Sequence, residues 1–168
     1  MTFPDKFEVL IITLSDRAYR GDYKDLSGPK VREIVEEFFS SEGWLRNIKL
    51  TLIPDDSQML KELLVTSGEK YNIIFTTGGT GIGQRDITVE TVKPLLTKEI
   101  PGIMEFIRIK YGTEKPNALL SRGVAGVIGQ TLIYTLPGSV KAVEEYMAEI
   151  VKTLSHTVNM LYGIDKHN

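Results

Sequence analysis

The stretch Thr77-Gly78-Gly79-Thr80-Gly81-Ile82-Gly83 is the part of this sequence best suited to chemistry. Glycines let a backbone approach a ligand closely and take positive φ, so successive N–H groups can converge on an anion. A helix beginning near Thr88 adds its positive end to the same place. Two common phosphate-binding patterns do not describe the loop. A Walker loop needs Lys-Ser/Thr after its last glycine; Gly78 and Gly83 have the right separation, but Gln84-Arg85 follow. A G-x-G-x-x-G fingerprint starts at Gly79 and Gly81 and then meets Gln84 where the third glycine belongs.

Chemistry on phosphates also needs control of charge. Asp86 closes the glycine loop, and Asp55 follows Ile53-Pro54. Carboxylates beside a polyphosphate commonly hold Mg²⁺, which neutralises charge and orients the reacting phosphorus. Arg17 and Arg85 carry planar guanidinium forks that suit phosphate oxygens. Each acid also has a structural alternative. Asp55-x-x-Gln58 has capping-box spacing, and Asp86 fits an exposed turn. His156 and His167 lie in or after the last helical segment, far along the chain, and read as surface or packing residues.

Composition narrows the rest. The chain has 168 residues, which predicts one domain over 1–168. It has no cysteine, which removes disulfides, thiolate nucleophiles, thiolate metal sites and iron–sulfur clusters. Two histidines argue against a His-rich metal centre. Lys and Arg number 20 against 22 Asp and Glu, a net charge of −2, which argues against bulk binding to nucleic acid or an acidic membrane. Met1 to Lys6 lacks the basic and apolar regions of a signal peptide, and no apolar run approaches the ~18 residues of a membrane span. A soluble cytoplasmic protein is the expectation.

The elements that must position these residues follow from periodicity. Phe7 to Leu14 is an apolar run rich in β-branched residues, as in a strand buried on both faces. Ser15 to Gly28 reads as a polar loop. A helix follows, with Pro29 in its first turn and Val31, Ile34, Val35 and Phe38 along one stripe. Trp44 to Ile53 reads as a second strand ended by Pro54, and Asp55 or Asp56 caps a helix carrying Met59, Leu60, Leu63 and Leu64. Tyr71 to Thr76 is a third strand. Thr88 caps a helix that Pro94 bends or ends, and Pro101 starts another carrying Met104, Ile107 and Ile109. Val124 to Ile128 and Thr131 to Leu136 form a hairpin through Gly129-Gln130, with the glycine placed for a type II′ turn. Ser139 caps the longest helix, whose apolar period runs to Leu161.

This alternation predicts a three-layer α/β sandwich around a mainly parallel, mixed sheet. Ligands of such sheets bind beyond the carboxyl ends of the strands. Parallel neighbours would gather Ser15-Asp16-Arg17, Pro54-Asp55-Asp56, Thr76 to Asp86 and Leu136-Pro137-Gly138-Ser139 on one rim.

Several segments together are more specific than any one loop. TTGGTGIGQRDIT (Thr76 to Thr88), LSDRA (Leu14 to Ala18), IPDD (Ile53 to Asp56) and LSRGVAGVIGQTLIYTLPGS (Leu120 to Ser139) occur in order with compatible spacing. From about Phe7 to Leu161 the chain resembles the MogA/MoaB family of molybdenum cofactor biosynthesis. SDRA followed by Gly21-Asp22-Tyr23-Lys24-Asp25 looks more like the MogA branch.

The resemblance implies a molybdopterin adenylyltransferase, joining ATP and molybdopterin into adenylyl-molybdopterin with release of pyrophosphate and with Mg²⁺. It implies a homotrimer, and hand-over of product to a molybdate-insertion protein. It makes Asp55 and Asp86 the catalytic and metal-holding residues. It places Ser15, Asp16, Arg17, Gly78, Gly79, Thr80, Gly81, Ser121, Arg122, Pro137, Gly138 and Ser139 on the pterin and nucleotide pocket. Two departures concern rigidity: Gln84 precedes Arg85-Asp86, and Val140 follows Ser139, where the family often has proline. A non-catalytic molybdopterin-binding or scaffold protein of the same fold is the alternative. The related domain of competence-damage-type pyrophosphatases differs in its glycine loop, and the molybdate-insertion enzyme needs further domains.

Overall fold

The computed structural model describes residues 2–68 and 70–164; His167 lies outside them. The strands are β1 (Phe7–Leu14), β2 (Arg46–Ile53), β3 (Ile73–Thr77), β4 (Lys98–Glu99), β5 (Ala125–Ile128) and β6 (Thr131–Leu136). They form one sheet in the order β2-β1-β3-β6-β5-β4. The first four in that order are parallel, and β5 and β4 complete the sheet antiparallel. The helices are α1 (Asp16–Tyr19), α2 (Ser27–Glu42), α3 (Ser57–Ser67), α4 (Thr88–Val92), α5 (Pro101–Gly112) and α6 (Val140–Leu161).

The apolar run of β1 is continuous because both its faces are covered. Val9 and Ile11 join a core with Val31, Val35 and Phe39 of α2, Met104 and Ile107 of α5, and Val143, Met147, Ile150 and Leu154 of α6. Leu10, Ile12 and Leu14 join a second core with Leu60 and Leu64 of α3 and Val89 and Val92 of α4. Alternate residues of one strand thus feed two cores, the consequence of a period of two. The three-layer α/β sandwich with a mixed sheet is the observed architecture. Among the described residues, no helix is long and apolar enough to cross a membrane.

Local chemistry explains most boundaries. Asp56 caps α3, its Oδ1 accepting from the Met59 amide at 2.8 Å, so Asp56 takes the role that Asp55 also had the spacing for. Ser139 Oγ accepts from the Ala142 amide at 3.2 Å and caps α6. Gly129 takes φ +60° and Gln130 does not, as a type II′ turn requires.

Five expectations need correction. The segment 15–28 is not all loop: Ser15 caps the short α1, and α2 begins at Ser27. β2 and β3 each start two residues late, because the Trp44 amide still donates to Phe39 O at the end of α2 and the Tyr71 amide to Ser67 O at the end of α3. Thr88 does not cap its helix; it is the first residue of α4, and its hydroxyl donates elsewhere. Ile109 stands 64% exposed rather than in the apolar stripe of α5. The two-residue β4 and the 3₁₀ turn Pro116–Leu120 carry no periodic signal, being too short to show one.

Candidate functional site

The register of the parallel strands builds the site. Leu14 pairs with Ile53, Thr13 with Thr77, and Thr77 with Leu136, so four strands end at one level. Their following loops enclose a cleft of about 800 Å³. Ser15, Asp55, Gly78, Gly79, Thr80, Gly81, Asp86, Ser121, Pro137, Gly138 and Ser139 line it, while Asp16, Arg17 and Arg122 do not.

The glycine loop is shaped first by packing. Gly78 has φ +102°, donates its amide to Leu136 O at 3.0 Å, and leaves only 2.3 Å between a would-be Cβ and Leu14 O. Gly79 has φ +68°, and a Cβ there would sit 2.4 Å from Thr88 Oγ1. That hydroxyl donates to Gly78 O at 2.8 Å, and the Thr88 amide donates to Gly79 O at 3.0 Å. The first amide of α4 is therefore engaged within the loop. The amides of Gly79, Thr80 and Gly81 have no acceptor among the described residues, which leaves them for an anion.

Two acids flank the cleft, Asp55 after β2 and Asp86 at the end of the glycine loop itself. Asp55 and Asp16 bond reciprocally: Asp55 Oδ2 accepts from the Asp16 amide at 3.1 Å, and Asp16 Oδ1 accepts from the Asp55 amide at 3.0 Å. Asp16 Oδ2 also pairs with Arg85. Burial pushes the Asp55 carboxyl up, and the charges of Asp16 and Asp86 add to the rise; the Asp16 amide and Arg85 oppose it. Asp86 Oδ2 accepts from the Gly83 amide at 2.7 Å.

No group of three or more potential ligands assembles among the described His, Asp and Glu residues. Asp55 and Asp86 each retain an oxygen, Oδ1, not used by an amide. Two hard oxygen donors fit Mg²⁺ that arrives with phosphates, since that ion keeps several of its ligands from water and substrate.

Hydrogen bonds and ion pairs brace the loops around the cleft. Arg122 donates its amide to Thr80 O at 2.9 Å, Nε to Gly81 O at 2.7 Å and Nη2 to Asp86 O at 3.4 Å. Its guanidinium is anchored by Glu90 of α4. Arg17 lies 4.8 Å over the Tyr23 ring, and the Tyr23 hydroxyl shares a 2.8 Å hydrogen bond with Ser15 Oγ. Thr77 Oγ1 donates to Pro137 O at 2.7 Å. The Ser121 hydroxyl is buried without a partner among the described residues.

Sequence reasoning missed Asp25 as part of the cleft. Its carboxylate accepts from Thr13 Oγ1 at 2.7 Å, from the amide and hydroxyl of Ser27 at 3.0 Å each, and from the Gly28 amide at 3.1 Å. The signal was present in Asp25-x-Ser27-Gly28-Pro29, an acid placed just ahead of a helix start.

The clamp has a testable signature. Arg122→Ala removes two side-chain bonds from the loop, and Glu90→Gln loosens the guanidinium that makes them. Both variants are expected to speed amide exchange over residues 79–83, and the double variant is expected to exceed Arg122→Ala by little, because the two act as one unit. Tighter binding of tripolyphosphate by Glu90→Gln would instead mark Arg122 as a phosphate ligand restrained by its partner.

Comparison with known proteins adds the last findings. Residues 10–156 match the family model described as "Probable molybdopterin binding domain". The chain is 37% identical over 153 residues to molybdenum cofactor synthesis protein cinnamon of Drosophila melanogaster, covering 90% of this chain and 25% of that protein. It thus spans about a quarter of the fly protein's length. It is 31% identical over 155 residues to a molybdopterin adenylyltransferase of Helicobacter pylori, covering 91% of this chain and 86% of that one. The crystal structure of the molybdopterin biosynthesis enzyme MoaB from Thermus thermophilus superposes with a TM-score of 0.80 at 35% identity, covering 94% of this chain and 97% of that one.

Proposed function

The chain belongs to the molybdopterin-binding family of molybdenum cofactor biosynthesis proteins, and from that premise we propose that it is a molybdopterin adenylyltransferase. In the proposed reaction a phosphate oxygen of molybdopterin attacks the α-phosphorus of ATP. The bond from that phosphorus to the bridging oxygen breaks, and pyrophosphate leaves with the electron pair. The observation that carries this reading is the placement of Asp55 and Asp86 on one cleft with the free amides of Gly79, Thr80 and Gly81.

Such a transfer brings anions together, so the residues must offset repulsion and hold the reactants in line. The loop amides supply fixed dipoles for phosphate oxygens at no cost of reorganisation. Asp55 is oriented by its bonds with Asp16, and Asp86 by Gly83. Mg²⁺, where bound, would be held by Asp55 and Asp86 and would neutralise phosphate charge. The same reading carries a cytoplasmic homotrimer that hands its product to a molybdate-insertion protein.

The test is pyrophosphate release from ATP. Release that requires molybdopterin, and that gives one adenylyl-molybdopterin per pyrophosphate, is the expected result. Molybdopterin binding without any release would make the chain a carrier or scaffold and overturn the transferase reading.

A further inference from the structure

The cleft wall carries two cations, Lys24 and Arg85, and three carboxylates, those of Asp25, Asp55 and Asp86. That balance repels a polyphosphate, so the state of each cation matters. Arg85 is paired with Asp16. Lys24 makes no ion pair among the described residues. The Asp25 carboxylate beside it is engaged by four hydrogen bonds from Thr13, Ser27 and Gly28.

The backbone at Lys24 is nevertheless fixed from both sides. Tyr23 is tied to Ser15 by its hydroxyl and covered by the Arg17 guanidinium. Asp25 is tied to the end of β1 and the start of α2. An ammonium on a flexible stem therefore stands at the cleft on an anchored segment. Such a group serves as a point charge for phosphate, with only its own side chain left to order.

We propose that Lys24 is a phosphate-binding residue of this cleft, contacting a phosphate group of the bound substrate. The proposal rests on the reading of the cleft as a site for ATP and a phosphorylated pterin. The two sources share one chemistry, a phosphate oxygen carrying negative charge, and experiment separates them. The role falls to a residue that no phosphate-loop pattern marks.

Titration calorimetry with tripolyphosphate, ATP and molybdopterin tests it on the whole chain. Lys24→Gln is expected to weaken tripolyphosphate binding about five- to tenfold, with a flatter dependence on salt. Lys24→Arg retains most of the affinity, and Lys24→Glu loses more than Lys24→Gln. Arg20→Gln is the control: it makes the same change in net charge at a guanidinium that pairs with Asp22 and does not line the cleft. Loss for ATP and tripolyphosphate alone puts Lys24 on the nucleotide; loss for molybdopterin alone puts it on the pterin's phosphate; either supports the proposal. Unchanged affinity for all three, an equal loss in Arg20→Gln, or no binding of any of them by the unaltered chain overturns it. Because binding is read directly, a Lys24 effect in a chain that transfers no adenylyl group would sustain this proposal and sink the transferase reading.

Discussion

Asp55→Asn and Asp86→Asn are each expected to slow single-turnover formation of adenylyl-molybdopterin by about 10²-fold or more, the scale on which one preorganised electrostatic contact is lost. The structure makes these substitutions clean. An asparagine at 55 still offers an oxygen to the Asp16 amide, and one at 86 still offers an oxygen to the Gly83 amide. Shape and hydrogen bonds persist, and only the charge is removed. Asp56, not Asp55, caps α3, so Asp55→Asn leaves that helix intact. Molybdopterin binding measured without Mg²⁺ should persist in both variants, since deleting a negative charge does not weaken the direct Coulomb attraction of an anion. Near wild-type rates in both would remove these acids from catalysis and leave them as supports of the rim.

The largest effect on stability is expected at Gly78. Gly78→Ala forces φ +102° on a side-chain-bearing residue and drives a Cβ to 2.3 Å from Leu14 O. Backbone strain and overpacking each cost roughly 1–3 kcal/mol, so about 3 kcal/mol is a reasonable total. In a chain of 168 residues that lowers Tm by about 6–12 °C. Gly138→Ala is the contrast. Its Cβ would lie 3.4 Å from Gly78 Cα with no positive φ to satisfy, so its Tm should stay within about 2 °C. Thermal unfolding of the pair decides the matter: an unchanged Tm in Gly78→Ala would show that the loop relaxes away from β1. Gly79→Val meets an obstacle of the same kind, at φ +68°. The clash with Thr88 Oγ1 makes that variant a folding defect, so lost ligand binding in it would say little about ligand contact.

Much of the scaffold was legible because local rules and burial agree there. β1 could be read from Phe7 to Leu14 because a strand covered on both faces needs apolar residues at successive positions. α6 was readable because one stripe of a long helix meets one core, and Ser139 supplies its cap from adjacent chain. The four loops of the rim followed from parallel order, which a short chain alternating strands and helices leaves little freedom to avoid. The II′ turn at Gly129 needed only two residues to be recognised.

What the sequence could not decide were choices between locally equivalent residues. Asp55 and Asp56 are neighbours with the same capping chemistry. Tertiary structure chose between them because Asp55 meets Asp16, 39 positions away, once Leu14 and Ile53 end level. Arg122 has the chemistry of a phosphate ligand, and the fold engages it with Glu90 and three loop carbonyls. Thr88 has the chemistry of a cap, yet its hydroxyl serves Gly78. By itself, then, the sequence determined the layers, the strand order's rim and the residue types on it, since these depend on periodicity and short-range geometry. Which side chains line the cleft and which brace its loops was decided only by the fold, because hydrogen bonds and ion pairs are short-ranged and their partners are far apart in the chain.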